Sequence, residues 1–330
     1  MYNTRFHDCD LGEVSILVTG GAGFIGSNIV EYLLKYGVAK VRVVDNLLTG
    51  FYENLKQFEG YSNFEFIKGD IADYNTCVQV CEGIDVITHQ AALGSVPRSI
   101  NNPVATNHNN VTGFLNILTV AKEAGIRRFV YASSSSVYGD EPTLPKVEER
   151  TGKLLSPYAV SKHTNEVYAN VFYQLFNMEC IGLRYFNVFG PNQSPKGAYA
   201  AVIPLFVNGL MNGKEVYIDG QGDQTRDFTF VENAVQANIK ALFCKDKAAF
   251  GEVFNIACGE RISVLDLYEH IKKALDVNSS PTFRDSRKGD IKNSLADISK
   301  AKNLLQYQPE VNVADGLAIT VQNFKSLLKA

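Results

Sequence analysis

The stretch that decides the fold is Val14-Ser15-Ile16-Leu17-Val18-Thr19-Gly20-Gly21-Ala22-Gly23-Phe24-Ile25-Gly26. Its apolar first half predicts a buried β-strand, and the amphipathic pattern that follows predicts a helix up to about Tyr36. Gly20 permits a tight turn, Gly23 lets phosphates approach the backbone, and Gly26 lets the helix pack closely on the strand. The helix N-terminus then faces the phosphates with its partial positive charge. The sequence therefore predicts a dinucleotide site.

An acidic residue indicates which dinucleotide is bound. The next predicted strand, Val41-Arg42-Val43-Val44, ends in Asp45, nineteen residues after Gly26. A carboxylate there accepts hydrogen bonds from both ribose hydroxyls and repels a 2′-phosphate, so NAD is expected rather than NADP. Strand and helix patterns continue to alternate, which predicts an α/β fold with a doubly wound parallel sheet (Rossmann) and a smaller C-terminal α/β substrate lobe. Asp70, after the third strand, has two interpretations: a contact beside the adenine or a cap on the next helix.

Composition excludes several classes of protein. The chain has 330 residues, of which 45% are hydrophobic and 20% charged, with a net charge of -3. This balance is typical of a globular protein and argues against nucleic acid or a membrane surface as partner, because both attract basic proteins. No signal peptide and no run of ~18 apolar residues is present, and the six cysteines are scattered, which indicates reduced thiols. We expect a cytoplasmic protein without a metal site.

A second motif is Ser156-Pro157-Tyr158-Ala159-Val160-Ser161-Lys162. Its tyrosine and lysine, four residues apart, share one face of a predicted helix. A tyrosine titrates near ~10, so acting as a base at pH 7 requires its pKa to fall by roughly 3 units, about 4 kcal/mol. A neighbouring ammonium and a positively charged ring would supply this. Alone, a tyrosine and a lysine at this spacing are more often two ordinary residues of a helix surface. The serine run 133–136 follows another predicted strand and has two interpretations, a flexible loop or part of a ligand site.

Together with the stretch 183–187, Leu-Arg-Tyr-Phe-Asn, these features resemble the extended short-chain dehydrogenase/reductase family over nearly the whole chain. Within that family the chain is similar to the UDP-hexose 4-epimerases, particularly the bacterial UDP-N-acetylglucosamine 4-epimerases, over the stretches 90–100 and 292–301. The resemblance implies three catalytic residues. Tyr158, as phenolate, would take the proton of the sugar 4-hydroxyl while hydride leaves C4 for NAD. Lys162 would lower the pKa of Tyr158, and Ser134 would position and relay the proton.

The resemblance also implies which residues bind the cofactor and the substrate. The cofactor residues are Gly20, Gly23, Phe24, Ile25, Gly26, Asp45, Asn46, Asp70, Ile71, Gln90, Ala91, Ala92, Asn110, Tyr158, Lys162 and Tyr185. The substrate residues are Gly94, Ser95, Ser134, Ser135, Asn187, Gln193, Val202, Tyr217, Arg226, Arg287 and Ser294.

One of these positions bears on the size of the sugar. Glucose-restricted bacterial members of the family have a tyrosine where this chain has Ser294, and serine leaves room for an N-acetyl group. The resemblance therefore implies NAD-dependent 4-epimerisation of UDP-N-acetylglucosamine and UDP-N-acetylgalactosamine, although a larger pocket need not reject UDP-glucose or UDP-galactose. Such an isomerase would serve polysaccharide biosynthesis.

Several alternatives are weighed against this function. The family's 4,6-dehydratases carry Asp-Glu where this chain has Ser135-Ser136, and its decarboxylases carry Glu at the second position. Both reactions need a carboxyl group for acid/base work, so serines make them improbable. A UDP-N-acetylglucosaminuronate 4-epimerase and a catalytically silent NAD-binding regulator stay open, although a silent protein has no need of the full catalytic set.

Two lobes and a dimer are expected. Residues 1–188 are interpreted as the NAD-binding Rossmann domain, and residues 189–330 mainly as the UDP-sugar-binding lobe, with a segment near 227–245 returning to the first domain. Helices near 103–124 and 157–175 correspond to those that form a four-helix bundle in dimeric relatives, so the resemblance implies a homodimer.

Overall fold

A parallel sheet of seven strands forms the centre of the molecule. The computed structural model describes residues 1–195, 201–285 and 292–327. In the first strand, Ile16 and Val18 are buried in the core on one face of the sheet, whereas Leu17 is buried in the core on the other. Because successive side chains of a strand point to opposite faces, this continuous apolar run is what a sheet covered on both sides requires.

The strands and helices follow one another along the chain in the alternation that the sequence predicts. The strands are β1 Ser15–Thr19, β2 Lys40–Asp45, β3 Phe64–Lys68, β4 Val86–His89, β5 Arg128–Ser134, β6 Glu179–Tyr185, β7 Val188–Phe189, β8 Tyr217–Asp219, β9 Thr225–Arg226, β10 Thr229–Phe230, β11 Val253–Ile256, β12 Ile262–Ser263 and β13 Thr282–Arg284. The helices are α1 Phe24–Lys35, α2 Tyr74–Cys81, α3 Val96–Asn101, α4 Pro103–Asn107, α5 Gly113–Glu123, α6 Pro157–Phe176, α7 Val202–Met211, α8 Val231–Leu242, α9 Val264–Leu275, α10 Ser299–Leu305 and α11 Val313–Leu327.

The order of the strands places the site. The sheet runs β11-β6-β5-β4-β1-β2-β3, and the strand pairs are parallel. The direction of winding reverses between β1 and β4, and ligands bind in the crevice beyond the carboxyl ends of strands at such a reversal. The doubly wound parallel sheet predicted from the sequence is confirmed.

Helices cover both faces of this sheet. Side chains of α1 and α8 share one core with β1 and β2, and side chains of α2, α5 and α6 form the other core. Between α4 and α5 the chain continues through a π-helical turn, His108–Thr112, so that residues 103–123 make one helical stretch. Single π-helical turns inside helices often occur at functional sites.

The smaller lobe is assembled from short pairs of strands and three helices. β8 pairs with β13 and β9 with β12, while α7, α9 and α11 enclose a separate apolar core. The chain returns to the large domain over more than the predicted segment 227–245. In addition to α8, which packs on the sheet, β11 is an edge strand of that sheet beside β6. A boundary at residue 189 is therefore too simple, because burial of β11 depends on a partner strand about seventy residues earlier in the chain.

Within the described residues, no helix combines the length and apolar character that crossing a lipid bilayer requires.

Candidate functional site

The glycine turn between β1 and α1 leaves space that no other residue could leave. Gly20 has φ +68°, and a Cβ there would lie 2.6 Å from the backbone N of Ala91. A Cβ on Gly26 would overlap the carbonyl oxygen of Gly20. Gly23 is the N-cap of α1 and has no side chain to cap the helix, so the first amides of α1 are open to an anionic ligand.

Asp45 supports this turn from the end of β2. Its carboxylate accepts hydrogen bonds from the backbone N of Ala22, at 3.1 Å, and of Leu47, at 2.8 Å. The side chain is buried, and burial raises the pKa of Asp45 against the opposing effect of these hydrogen bonds. The carboxylate thus holds the glycine turn in place as well as facing the cavity beside it.

That cavity, the glycine-loop cavity, lies at the carboxyl ends of β1, β2 and β4. Nine predicted cofactor residues line it: Gly20, Gly23, Asp45, Asn46, Asp70, Ile71, Gln90, Ala91 and Ala92. It is also lined by Leu48, Thr49, Gly50 and Asn109, which the sequence interpretation missed. Residues 48–50 follow Asp45 within five positions, which is a usable sequence signal, whereas Asn109 reaches the cavity through the π-helical turn.

The two interpretations of Asp70 are separated by the structure. Helix α2 begins at Tyr74, and its N-cap is Asp73, which accepts from the backbone N of Asn75 and Thr76. Asp70 instead accepts from the side-chain amide of Asn46, at 3.1 Å, and lines the cavity. The helix-cap interpretation of Asp70 is therefore wrong.

Four other predicted cofactor residues have a different surrounding. Phe24 packs against the apolar core of the smaller lobe, and Ile25 packs against the core that α1 and α8 share with the sheet. Asn110 is fully buried, with its side chain bonded to the backbone of Leu93 and to Ser161 Oγ.

The fourth, Tyr185, is likewise held by protein groups. Its hydroxyl donates to Gln90 Oε1 at 3.1 Å and accepts from Asn238 Nδ2 at 2.7 Å. Burial raises the pKa of Tyr185 well above its usual value. Tyr185 therefore orients Gln90, a residue of the glycine-loop cavity that follows β4, from the end of β6, on the far side of β5.

The predicted catalytic residues meet where β5 ends and α6 begins. Ser156 caps α6 by accepting from the backbone N of Ala159 at 3.1 Å, which sets Tyr158 in the first turn and Lys162 one turn later. Lys162 is 1% exposed, and its Nζ donates to the carbonyl oxygen of Ala132 at 2.8 Å. Since Ala132 precedes Ser134 on β5 by two residues, the ammonium lies next to the serine run.

The proton affinities of these groups follow from burial. Burial lowers the pKa of Lys162 to about 8, and the Glu166 carboxylate opposes the decrease. Burial raises the pKa of Tyr158, opposed by a hydrogen bond with Ser134. The expected decrease at Tyr158 is thus absent from the protein alone, because desolvation of the phenol outweighs its polar contacts.

The serines differ in what they contact. Ser134 Oγ accepts from the backbone N of Ser136 at 3.2 Å and from its hydroxyl at 3.0 Å. Ser135 lies in the turn after β5. On the opposite loop, Ser95 caps α3 by accepting from the backbone N of Arg98, and Gly94 is exposed with open space around it.

A second cavity, the lobe cavity, has a volume of about 380 Å³. Predicted substrate residues lining it are Asn187, Val202, Tyr217 and Arg226. Polar residues that the sequence interpretation missed there are Glu215, Asp219, Gln224 and Arg284. No local pattern marks Arg284, because it reaches the cavity only through the pairing of β13 with β8.

The aromatic ring of the lobe cavity is fixed from two sides. The Tyr217 hydroxyl donates to Glu215, and the Arg284 guanidinium lies over the Tyr217 ring, 5.4 Å from its centroid. Arg284 also pairs with Asp219. The cavity therefore presents a flat apolar ring bordered by charged groups.

Ser294 and Gln193, both predicted to bind the substrate, are not among the residues that line the two cavities. The backbone N of Ser294 donates to the carbonyl of Thr225 at 3.1 Å, which places Ser294 beside β9, where Thr225 directly precedes Arg226. Gln193 donates to the carbonyl of Val188, and its buried Oε1 has no partner among the described residues. Arg287 lies outside the residues that the structure describes.

Sequence reasoning missed a buried carboxylate that joins the two lobes. Asp227, between β9 and β10, is fully buried and accepts from the backbone N of Cys258, Gly259 and Ala296 at 3.1, 3.2 and 3.2 Å. Its own carbonyl accepts from the Asn187 side chain at 3.0 Å. Burial raises the pKa of Asp227 to about 7. Among the described residues, no cluster of three His, Cys, Asp or Glu side chains suits a metal ion.

The sheet, the glycine turn and the tyrosine–lysine pair define a Rossmann-type dinucleotide enzyme of the extended short-chain dehydrogenase/reductase class. The model of the NAD dependent epimerase/dehydratase family matches residues 16–257, and the chain belongs to this family. The resemblance and the cofactor inferred from the sequence are confirmed.

Relatives and solved structures agree over nearly the full length. A UDP-glucose 4-epimerase of Mycolicibacterium smegmatis is 38% identical, covering 94% of this chain and 98% of its own. The structure of a UDP-N-acetylglucosamine 4-epimerase from Methanobrevibacter ruminantium, in complex with UDP-N-acetylmuramic acid, has a TM-score of 0.90 at 37% identity and covers 95% of this chain and 99% of its own. A UDP-glucuronic acid 4-epimerase from Bacillus cereus, in complex with UDP-glucuronic acid and NAD, has a TM-score of 0.88 at 33% identity and covers 95% and 100%. These relatives differ in the sugar that they are named for.

Proposed function

We propose that this protein is an NAD-dependent 4-epimerase that interconverts UDP-N-acetylglucosamine and UDP-N-acetylgalactosamine through a 4-keto intermediate. The observation that carries the proposal is the position of Ser134, Tyr158 and Lys162 at the carboxyl end of β5, in a sheet whose reversal holds the glycine-loop cavity. The lobe cavity offers a separate binding region for the nucleotide of the UDP-sugar.

The cradle of the glycine-loop cavity fits NAD, since a Cβ on Gly20 or Gly26 would fill the space that a pyrophosphate needs. Bound NAD⁺ supplies the hydride acceptor at C4, the hydride donor for the return step, and a positive charge. Tyr158, as phenolate, takes the proton of the sugar 4-hydroxyl and gives it back after the ketone has turned over. Ser134 holds the reacting oxygen in reach.

Ionisation of Tyr158 depends on positive charge next to it. Burial raises the pKa of Tyr158, so the protein by itself disfavours the phenolate. Lys162, with a pKa of about 8, is mainly an ammonium ion at pH 7 and contributes one positive charge. Bound NAD⁺ would supply a second positive charge, and Tyr158 would then ionise more readily than in the protein alone.

The same strand end disfavours the competing reactions of the family. Elimination of water or loss of CO₂ needs a further carboxyl group near C5 or C6. This chain has Ser136, two residues after Ser134, and the Ser136 hydroxyl donates to Ser134 Oγ at 3.0 Å. A hydroxyl is a poor acid or base at neutral pH, and epimerisation requires no third group.

The choice of an N-acetylated sugar rests on small and polar side chains. The backbone of Ser294 is bonded to Thr225, directly before Arg226, and a serine at this position occupies less space than a tyrosine would. The buried Gln193 Oε1 has no partner among the described residues, and it fits the N–H of an acetamido group. Both features support the acetylated sugar over UDP-glucose.

A homodimer is proposed from an exposed apolar stripe on α6. Val160, Val167, Val171 and Leu175 are 49%, 51%, 38% and 67% exposed. Their spacing of seven, four and four residues places them on one side of the helix. Ile100 and Val104, on the adjoining α3 and α4, extend this apolar face, which suits a second copy of the same surface. Function within the cytoplasm, in nucleotide-sugar metabolism, is part of the same proposal.

The test is incubation of the purified protein with UDP-N-acetylglucosamine, without added NAD, followed by NMR of the sugar nucleotides. Formation of UDP-N-acetylgalactosamine is expected, and Tyr158→Phe should bind NAD without turnover. Ser294→Tyr should lose the acetylated substrate at least tenfold more than UDP-glucose, whereas Ser294→Ala, equally small, should keep both. Equal losses on both substrates in Ser294→Tyr would contradict the pocket argument. Turnover of only the uronate or UDP-glucose would replace the proposed substrate.

A further inference from the structure

We propose that Glu166 is a positioning residue of the catalytic site, whose carboxylate anchors the catalytic turns of α6 to β5 and β6 and faces Lys162 with a negative charge. This inference rests on the proposed role of Lys162 in the reaction. Glu166 follows Lys162 by four residues on α6, just as Lys162 follows Tyr158. Residues at this spacing stack on one face of a helix, so the three side chains form a column directed at the sheet.

Both oxygens of the Glu166 carboxylate are bonded to the sheet. Oε1 accepts from Ser133 Oγ at 2.5 Å and from Arg184 Nε at 2.9 Å, and Oε2 accepts from Arg184 Nη2 at 2.9 Å. Ser133 is on β5 directly before Ser134, and Arg184 is on β6 directly before Tyr185. One carboxylate therefore connects α6 to the ends of β5 and β6, the strands that carry Ser134 and Tyr185.

Arg184 is itself fixed, so it forms a firm support. Its Nη1 donates to the carbonyl of Glu148 at 3.0 Å, and its guanidinium lies over the Tyr138 ring, 4.9 Å from the centroid. Glu166 and Arg184 are both buried. A buried bidentate pair of this kind has a defined geometry, because breaking it leaves an uncompensated charge.

The Glu166 carboxylate also affects the protonation of Lys162. The titratable groups that interact with the charge of Lys162 are Glu166 from its own helix and the buried His89 from β4. Burial and Lys162 lower the pKa of His89 to about 3, so His89 is neutral. Glu166 is faced by Arg184, by Tyr131 from β5, and by His163, whose Nδ1 is 3.8 Å away. In the described part of the chain, Glu166 is thus the carboxylate that favours the ammonium form of Lys162.

The proposal is tested with Glu166→Gln, which keeps the shape and removes the charge. We expect the alkaline limb of the kcat profile to move to lower pH by about one unit, because a buried lysine without its carboxylate loses its proton more readily. Ser133→Ala, which removes one hydrogen bond and no charge, is the matched control and should keep the limb in place. A Glu166→Gln profile that loses activity uniformly at every pH would show that Glu166 acts only as an anchor, and it would overturn the proposed effect of its charge on Lys162.

A second variant covers a failure to fold. Glu166→Gln alone leaves Arg184 without its partner, so Glu166→Gln/Arg184→Gln removes both charges and avoids this penalty. The alkaline limb is expected to move to lower pH by less than in Glu166→Gln, because the opposing charge of Arg184 is also removed. An unmoved limb in both variants would refute the role of the charge. Titration of the Lys162 ammonium by NMR, assigned with Lys162→Arg, gives a readout independent of turnover. Absence of activity on every UDP-sugar would then contradict the proposed function, while the titration still decides the role of Glu166.

Discussion

Replacement of Gly20 by alanine tests the geometry of the glycine turn. Gly20 has φ +68°, and a Cβ there would lie 2.6 Å from the N and 2.7 Å from the Cα of Ala91. Gly37, after α1, has nearly the same φ, +70°, but nothing within 4 Å of its Cβ position. The two variants therefore share the backbone penalty and differ in the steric one.

The expected magnitudes follow from this comparison. Placing alanine in the left-handed region costs about 1–2 kcal/mol at either position. At Gly20 the contact is with backbone, which no change of rotamer relieves, and overpacking adds about 1–3 kcal/mol. Gly37→Ala should thus lower the free energy of unfolding by about 1–2 kcal/mol and Gly20→Ala by about 2–5 kcal/mol.

The assay is urea unfolding of both variants, together with the NAD content of the purified proteins. Because the added methyl group would push Ala91 away from the glycine-loop cavity, Gly20→Ala should also lose bound NAD, whereas Gly37→Ala should keep it. Equal destabilisation of the two variants with equal NAD content would refute the claim that close approach to Ala91, and not the positive φ, requires glycine.

Two further predictions concern the joining of the lobes and the assembly of copies. Asp227→Asn should lower the free energy of unfolding by about 1–3 kcal/mol and raise KM for the UDP-sugar, because an amide NH₂ cannot accept from the backbone N–H groups that surround it. As a control, Asp223→Asn, at an exposed ion pair, should change the free energy of unfolding by less than about 0.5 kcal/mol. Similar losses of stability in both variants would contradict the role of Asp227. Light scattering of the wild type should give twice the 36.4 kDa mass of the chain. Val167→Asp should halve that mass, whereas the control Val78→Asp, at a residue that is equally exposed at 51%, should leave it unchanged. A monomeric wild type would exclude the dimer.

Much of the large domain could be predicted because its signals are local. The strand before Gly20, the acid at Asp45 and the i, i+4 pair of Tyr158 and Lys162 are each determined by residues close in the chain, through strand alternation and helical spacing. Resemblance to a family then supplied roles for serines and arginines that no pattern distinguishes from ordinary surface residues.

What only the tertiary structure decided depends on contacts between distant segments. Arg284 reaches the lobe cavity because β13 pairs with β8, and Asp227 finds its three donors at 258–259 and 296. The return of β11 to the sheet is of the same kind. Burial also reversed the expected direction of the pKa of Tyr158, since desolvation depends on everything packed around a group and not on its neighbours in sequence. The sequence by itself determined the strands, the helices and the chemical groups that they carry. The tertiary contacts between distant segments decided which of these groups are buried together, and burial in turn shifts their pKa values.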